Sequence, residues 1–135
     1  MFRRVLLTLL IVISWVACAT GDGGTKVAVL PDLKSVTGTW QGTLTGDTGA
    51  KSPATIQIRE DGTYVALFGT SSTEGTVEAK DGQLVFTRQK VGGAAVAHSV
   101  GSTAVLSEQA DGTQVLTGSG RTTVGPYSYT LTRKK

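Results

Sequence analysis

The residues able to do covalent or acid–base chemistry are few. The 135 residues include one cysteine, Cys18, and one histidine, His98. A single cysteine excludes an intramolecular disulfide and any multi-cysteine metal site, and a single histidine excludes a His–His metal pair. His98 is the one base open to a Ser–His–Asp arrangement. No Asp, Glu or Cys cluster stands near it in sequence, so it reads as a surface residue, the alternative being one polar contact to a bound molecule. The carboxylates of Glu60, Asp61 and Asp81 belong to Asp-Gly hairpin tips rather than to a spaced acid–base pair. No Gly-x-Ser-x-Gly elbow leads into a helix, and Ser-x-x-Lys does not occur as a catalytic element. Gly118-Ser119-Gly120 is flexible, but no helix follows to bind phosphate. The chain is expected not to be an enzyme and to need no metal or cofactor.

Cys18 is the residue whose setting points to a modification. Arg3 and Arg4 form a short basic start, and residues 5–16 are an apolar run of 12 broken only by Thr8 and Ser14. A membrane-spanning helix needs about 20 residues, so residues 1–17 read as a signal peptide. The junction Trp15-Val16-Ala17-Cys18 resembles the lipobox of bacterial lipoproteins. Val16 and Ala17 match that pattern, and Trp15 stands where the family prefers an aliphatic residue. The resemblance implies a diacylglycerol thioether on Cys18 and attachment to a membrane of the cell envelope. Ala19 then resembles the sorting pattern for the outer membrane of a two-membrane bacterium. Two other readings stay open. Ala17-Cys18-Ala19 is also an A-x-A cleavage pattern, which would release a secreted soluble chain, and Cys18 could be a passive apolar residue. Lipidation matters because one acyl chain holds marginally while two or more anchor stably.

Charge narrows the partners. Without Arg3 and Arg4 the formal charge of +3 falls to +1, with 11 basic against 10 acidic residues. Three of those basic residues are Arg133, Lys134 and Lys135 at the end of the sequence, which reads as a solvated tail. A nucleic-acid footprint needs a concentrated basic face, so nucleic acid is not an expected partner. Charged residues are 17% and hydrophobic residues 39% of the chain, too apolar and too weakly charged for disorder.

The elements that would position these residues are strands. Residues 19–26 are small and glycine-rich and read as a flexible tether. Residues 27–36 form a short apolar stretch in which Pro31-Asp32 favours a turn or a helix start. From Gly38 onward Thr and Val are abundant and no helical stripe of useful length occurs. Asp-Gly at 61–62, 81–82 and 111–112 supplies the positive φ of tight hairpins. The strands are placed at 39–46, 54–60, 63–69, 75–80, 83–90, 103–109, 113–119 and 126–133. Trp40, Gly42 and Leu44 alternate with polar neighbours, as do Ile56 and Ile58, Val77 and Ala79, and Tyr127, Tyr129 and Leu131. One-sided alternation marks antiparallel strands with one wet face. The predicted fold is all-β, an antiparallel eight-stranded meander closing into a small barrel. Residues 91–101 read either as a mobile loop at the barrel mouth or as an extension of strands five and six through a Gly92-Gly93 turn.

Val36-Thr37-Gly38-Thr39-Trp40 is similar to the Gly-x-Trp start of the lipocalins and the wider calycin-like barrels. The resemblance implies that the segment before it closes the barrel floor. It also implies that Arg133, in phase with Tyr127, Tyr129 and Leu131, packs over Trp40. The organisation expected is a signal peptide at 1–17, a lipidated N-terminus, tether and floor segment at 18–36, and a barrel domain at 37–135. Trp40, Tyr64, Phe68, Phe86, Tyr127 and Tyr129 are the aromatic candidates for the interior. They either fill it or, with Gly42, Ala66 and Ala79 leaving room, line a small pocket in which the Tyr127 and Tyr129 hydroxyls orient a ligand. Val85, Val105 and Val115 are expected to form an exposed apolar stripe. Two functions follow. One is a membrane-anchored lipoprotein whose barrel binds a small apolar or amphipathic molecule without catalysis. The other is an envelope protein with a packed core that binds or inhibits a macromolecule.

Overall fold

The computed structural model describes residues 27–29 and 31–135. The signal peptide, the lipobox with Cys18 and the tether lie outside the described residues. The elements are β1 (Val27–Val29), α1 (Leu33–Val36), β2 (Gly38–Gly46), β3 (Lys51–Ile58), β4 (Thr63–Phe68), β5 (Ser71–Lys80), β6 (Gln83–Val91), β7 (Ala94–Glu108), β8 (Gln114–Thr122) and β9 (Gly125–Arg133). Each strand from β2 to β9 pairs antiparallel with the next, and β9 returns to β2. That closure makes an eight-stranded meander barrel and leaves the ladder without two long free edges.

The hairpins follow the glycines. Gly62, Gly82 and Gly112 sit at φ of 80°, 78° and 81°, joining β3 to β4, β5 to β6 and β7 to β8. Asp61 and Asp111 fix two of these tips, each side chain accepting a backbone N–H two residues on at 2.9 Å, the Asx geometry that makes Asp a turn residue. Gly92-Gly93, at φ of 58° and 82°, turns β6 into β7. Val91 therefore pairs with Ala94, and residues 94–101 extend the ladder instead of forming a loop. His98 falls within β7; its side chain lies outside the described residues.

Inward alternation supplies one core. Ile56, Ile58, Tyr64, Ala66, Leu84, Phe86, Leu106, Leu116, Tyr129 and Leu131 are all buried in a single cluster. The exterior differs from the expected stripe. Val105 is exposed and Val85 half-buried, but Val115 is buried at the end of the barrel where β1 adds to β7 opposite Leu106–Glu108. Ala79 is in phase with Val77 but is exposed, close to the Asp81-Gly82 turn that closes the β5–β6 hairpin.

The same end is the floor. Asp32 caps α1, accepting from the Ser35 N–H at 2.6 Å while its own N–H donates to Ser35 Oγ at 3.2 Å. Such a reciprocal cap starts a helix of only four residues sharply. Val36, the last of them, is fully buried, and its carbonyl accepts from Trp40 Nε1 at 2.8 Å. Arg133 lies above the indole, its guanidinium carbon 4.7 Å from the ring centroid. Its Nη1 donates to Thr37 O at 2.7 Å, its Nη2 to Ser35 O, and its Nε to Gln114 Oε1 at 2.9 Å. One side chain thus ties β9, α1, β8 and the first strand of the barrel together.

Candidate ligand-binding cavity at the barrel mouth

The opposite end is not filled. A cavity of about 250 Å³ opens there, walled by Leu44 of β2, Ile56 of β3, Tyr64 and Phe68 of β4, Phe86 of β6 and Tyr127 of β9. An apolar cavity of about 150 Å³ takes up one benzene, so this one has room for a molecule of one or two rings or a short alkyl body. Val124, 87% exposed in the β8–β9 turn, stands at the rim with Asp47.

The six aromatic candidates divide between the ends. Tyr64, Phe68, Phe86 and Tyr127 line the cavity. Tyr64 and Phe86 meet edge to face at 5.0 Å and 89°, and Phe68 lies 6.0 Å from both Tyr127 and Tyr129, separations at which rings attract. Trp40 belongs to the floor. Tyr129 is fully buried behind the wall, its hydroxyl 3.1 Å from Ser102 Oγ. The Tyr127 hydroxyl donates to Gly101 O at 3.0 Å. Both hydroxyls take part in the barrel's own bonds. Burial is the main cause that pushes the Tyr64 phenol up to about 12, with the Arg88 charge opposing it. Burial likewise raises Tyr129 and Tyr127. All three stay neutral at ordinary pH.

Glycines on the facing strands make this arrangement possible. Gly118 and Gly120 of β8 pair with Tyr129 and Tyr127 of β9. A Cβ on either glycine would overlap the tyrosine opposite. The rings therefore lie across bare backbone, an aromatic covering a glycine that would otherwise leave a gap. Gly101 adds a bulge. Phe86 pairs with Ser102 and Thr87 with Val100, which leaves Gly101 unopposed. A bulge re-aims nearby side chains and frees a carbonyl, here the one that Tyr127 takes.

Arg88 is the functional candidate that composition and motif reasoning passed over. It follows Leu84 and Phe86 at period two, so the alternation that points those residues inward points Arg88 inward as well. Its stem crosses β7 at Gly101, where a Cβ would stand 2.9 Å from Arg88 Cγ. Arg88 Nη2 donates to Arg121 O at 3.0 Å, while Nε is buried with no partner. Arg88 lines the cavity and forms no ion pair among the described residues. Nor does any group of three or more His, Cys, Asp or Glu gather to hold a metal among them.

No family model matches the chain, and no curated protein matches it. Among solved structures the chain is similar to a redesigned beta barrel, at 21% identity and a TM-score of 0.50, over 81% of this chain and the whole of that one. The likeness supports the small closed barrel, and the fold alone.

Proposed function

We propose that this chain is a non-catalytic, lipid-anchored barrel of lipocalin-like type that holds a small apolar or amphipathic molecule at its mouth. The observation that carries the reading is the unfilled apolar cavity at one end of a barrel packed tightly at the other. Aromatic and aliphatic walls with a few polar groups are what small-molecule sites present. An aromatic ligand burying roughly 200 Å² would gain about 5 kcal/mol at about 25 cal/mol per Å². Part of that offsets association costs, so micromolar or weaker affinity is expected. The anchor rests on the lipobox-like residues around Cys18, and the envelope location rests on the anchor.

The test uses dansylamide, a neutral two-ring fluorophore that emits weakly in water, titrated into the purified full chain. One saturable site is expected, lost in Leu44→Trp, which fills the cavity. Absence of binding to the wild type overturns the ligand reading and leaves the outer surface as the working part. Metabolic palmitate labelling tests the anchor separately: the label should vanish in Cys18→Ser, and undiminished label overturns lipidation.

A further inference from the structure

The cavity has apolar walls and one cation. Leu44, Ile56, Phe68 and Phe86 offer nothing to a charged group. Arg88 stands among them with a buried Nε–H that donates to nothing and an Nη2 held by a main-chain carbonyl. A protein rarely leaves a buried donor unmet, because its lost hydration is not replaced. The charged groups around it do not supply the missing acceptor. Asp47, the one carboxylate of the cavity lining, is exposed at the rim and makes no ion pair with it. The facing phenols of Tyr64 and Tyr127 are neutral at ordinary pH, and Tyr127 directs its proton to Gly101. The guanidinium is also held in place. Gly101 lets its stem cross β7 and the Arg121 carbonyl fixes one nitrogen, so little rotamer freedom remains to be lost on binding.

We infer that the mouth cavity selects amphipathic carboxylates, the carboxylate accepting from Arg88 and the apolar body lying against Phe68, Phe86 and Leu44. This rests on the ligand-binding reading above and names its substrate class. A guanidinium matches a carboxylate through its fork of donors, and a low-dielectric wall strengthens the pair relative to water. The cavity volume sets the body at one or two rings or a short alkyl chain, since longer chains would protrude past Val124.

The experiment compares 2-naphthoate with 2-naphthylmethanol, equal in apolar body and different in charge, by calorimetric titration of the full chain at neutral pH. The carboxylate should bind about ten- to a hundredfold tighter, the range expected for a hydrogen bond to a charged group. Arg88→Met should remove that preference, read as the ratio of the two affinities, while binding of the alcohol to the variant shows that the cavity is still formed. Arg88→Lys should retain part of the preference, and it decides the matter where Arg88→Met fails to fold. Equal binding of both compounds to the wild type, or a preference unchanged in the Arg88 variants, overturns the assignment of Arg88 while the ligand-binding cavity stands. Binding of neither compound to the wild type overturns the cavity reading and this inference with it.

Discussion

Replacing Arg133 with alanine is the sharpest perturbation of the floor. The guanidinium stacks on Trp40 at 4.7 Å and donates to the carbonyls of Thr37 and Ser35 as well as to Gln114. An Arg–aromatic stack contributes about 0.5–2 kcal/mol. A hydrogen bond from a charged donor contributes about 1.5–3 kcal/mol, and the lower value applies to each carbonyl because Arg133 is only half-buried. The Gln114 bond is left out, since water replaces it there. The two carbonyl bonds and the stack together give about 4 kcal/mol, a large part of the roughly 5–15 kcal/mol that holds a domain folded. Urea titration followed by circular dichroism should show the midpoint fall with the slope unchanged. The melting temperature should drop by roughly 15–25 °C. Arg133→Lys keeps the charge but cannot fork to two carbonyls, so it should recover less than half of the loss. Fluorophore binding at the mouth, at the other end of the barrel, should persist in the folded variant. A loss below about 1 kcal/mol for the alanine variant, or full stability for the lysine variant, would refute the view that this side chain closes the floor.

Other outcomes follow from the same geometry. Gly118→Ala should cost about 2–4 kcal/mol, combining overpacking with disturbance of the Tyr129–Ser102 bond, and a near-neutral result in urea unfolding would mean that the ring does not cover β8. Stability should be flat from pH 7 to about 9 and then fall toward pH 12. The unfolded tyrosines ionise from about 10 while buried Tyr64 and Tyr129 stay protonated, so the unfolded state binds fewer protons and gains as pH rises, by up to about 1.4 kcal/mol per unit for each phenol. Urea unfolding across pH 9–12, paired with tyrosine absorbance at 295 nm, checks this, and titration of all the phenols near 10 in the native protein would contradict it. Lys90→Ala should change stability by less than about 0.5 kcal/mol, because its 3.8 Å pair with Glu74 is exposed; a loss above 1 kcal/mol would assign that pair a structural role.

Most of the barrel was legible because its signals are local. Asp61-Gly62, Asp81-Gly82 and Asp111-Gly112 each required a reversal of the chain, and all three became hairpin tips. Alternation from Trp40 to Leu44 and from Tyr127 to Leu131 needed only the period of a strand. Val91 to Gly101 was ambiguous, since two glycines in a row suit a loop and a turn equally; pairing of Val91 with Thr73 of β5 and of residues 94–100 with β6 decides for the turn. The cavity was harder. Whether six rings fill a barrel depends on which end each occupies, and Trp40 and Tyr129 lie away from the mouth for reasons of register, not residue type. Arg88 was readable in principle from Leu84-x-Phe86-x-Arg88, but a search for apolar alternation passes over a cation in the inward phase. The bulge at Gly101, which makes room for that cation, left no mark in the sequence beyond a glycine among many.

The short strand β1 has a consequence for orientation. It pairs with Leu106–Glu108 in the sense that sets Val27 outermost, opposite Glu108. Arg133, at the end of β9, sits at that same pole. Both ends of the described chain thus leave the barrel at the pole remote from the cavity. A support that grasps the protein by either end is therefore joined at the pole opposite the opening. A solute then reaches the mouth from the surrounding fluid without first crossing the support.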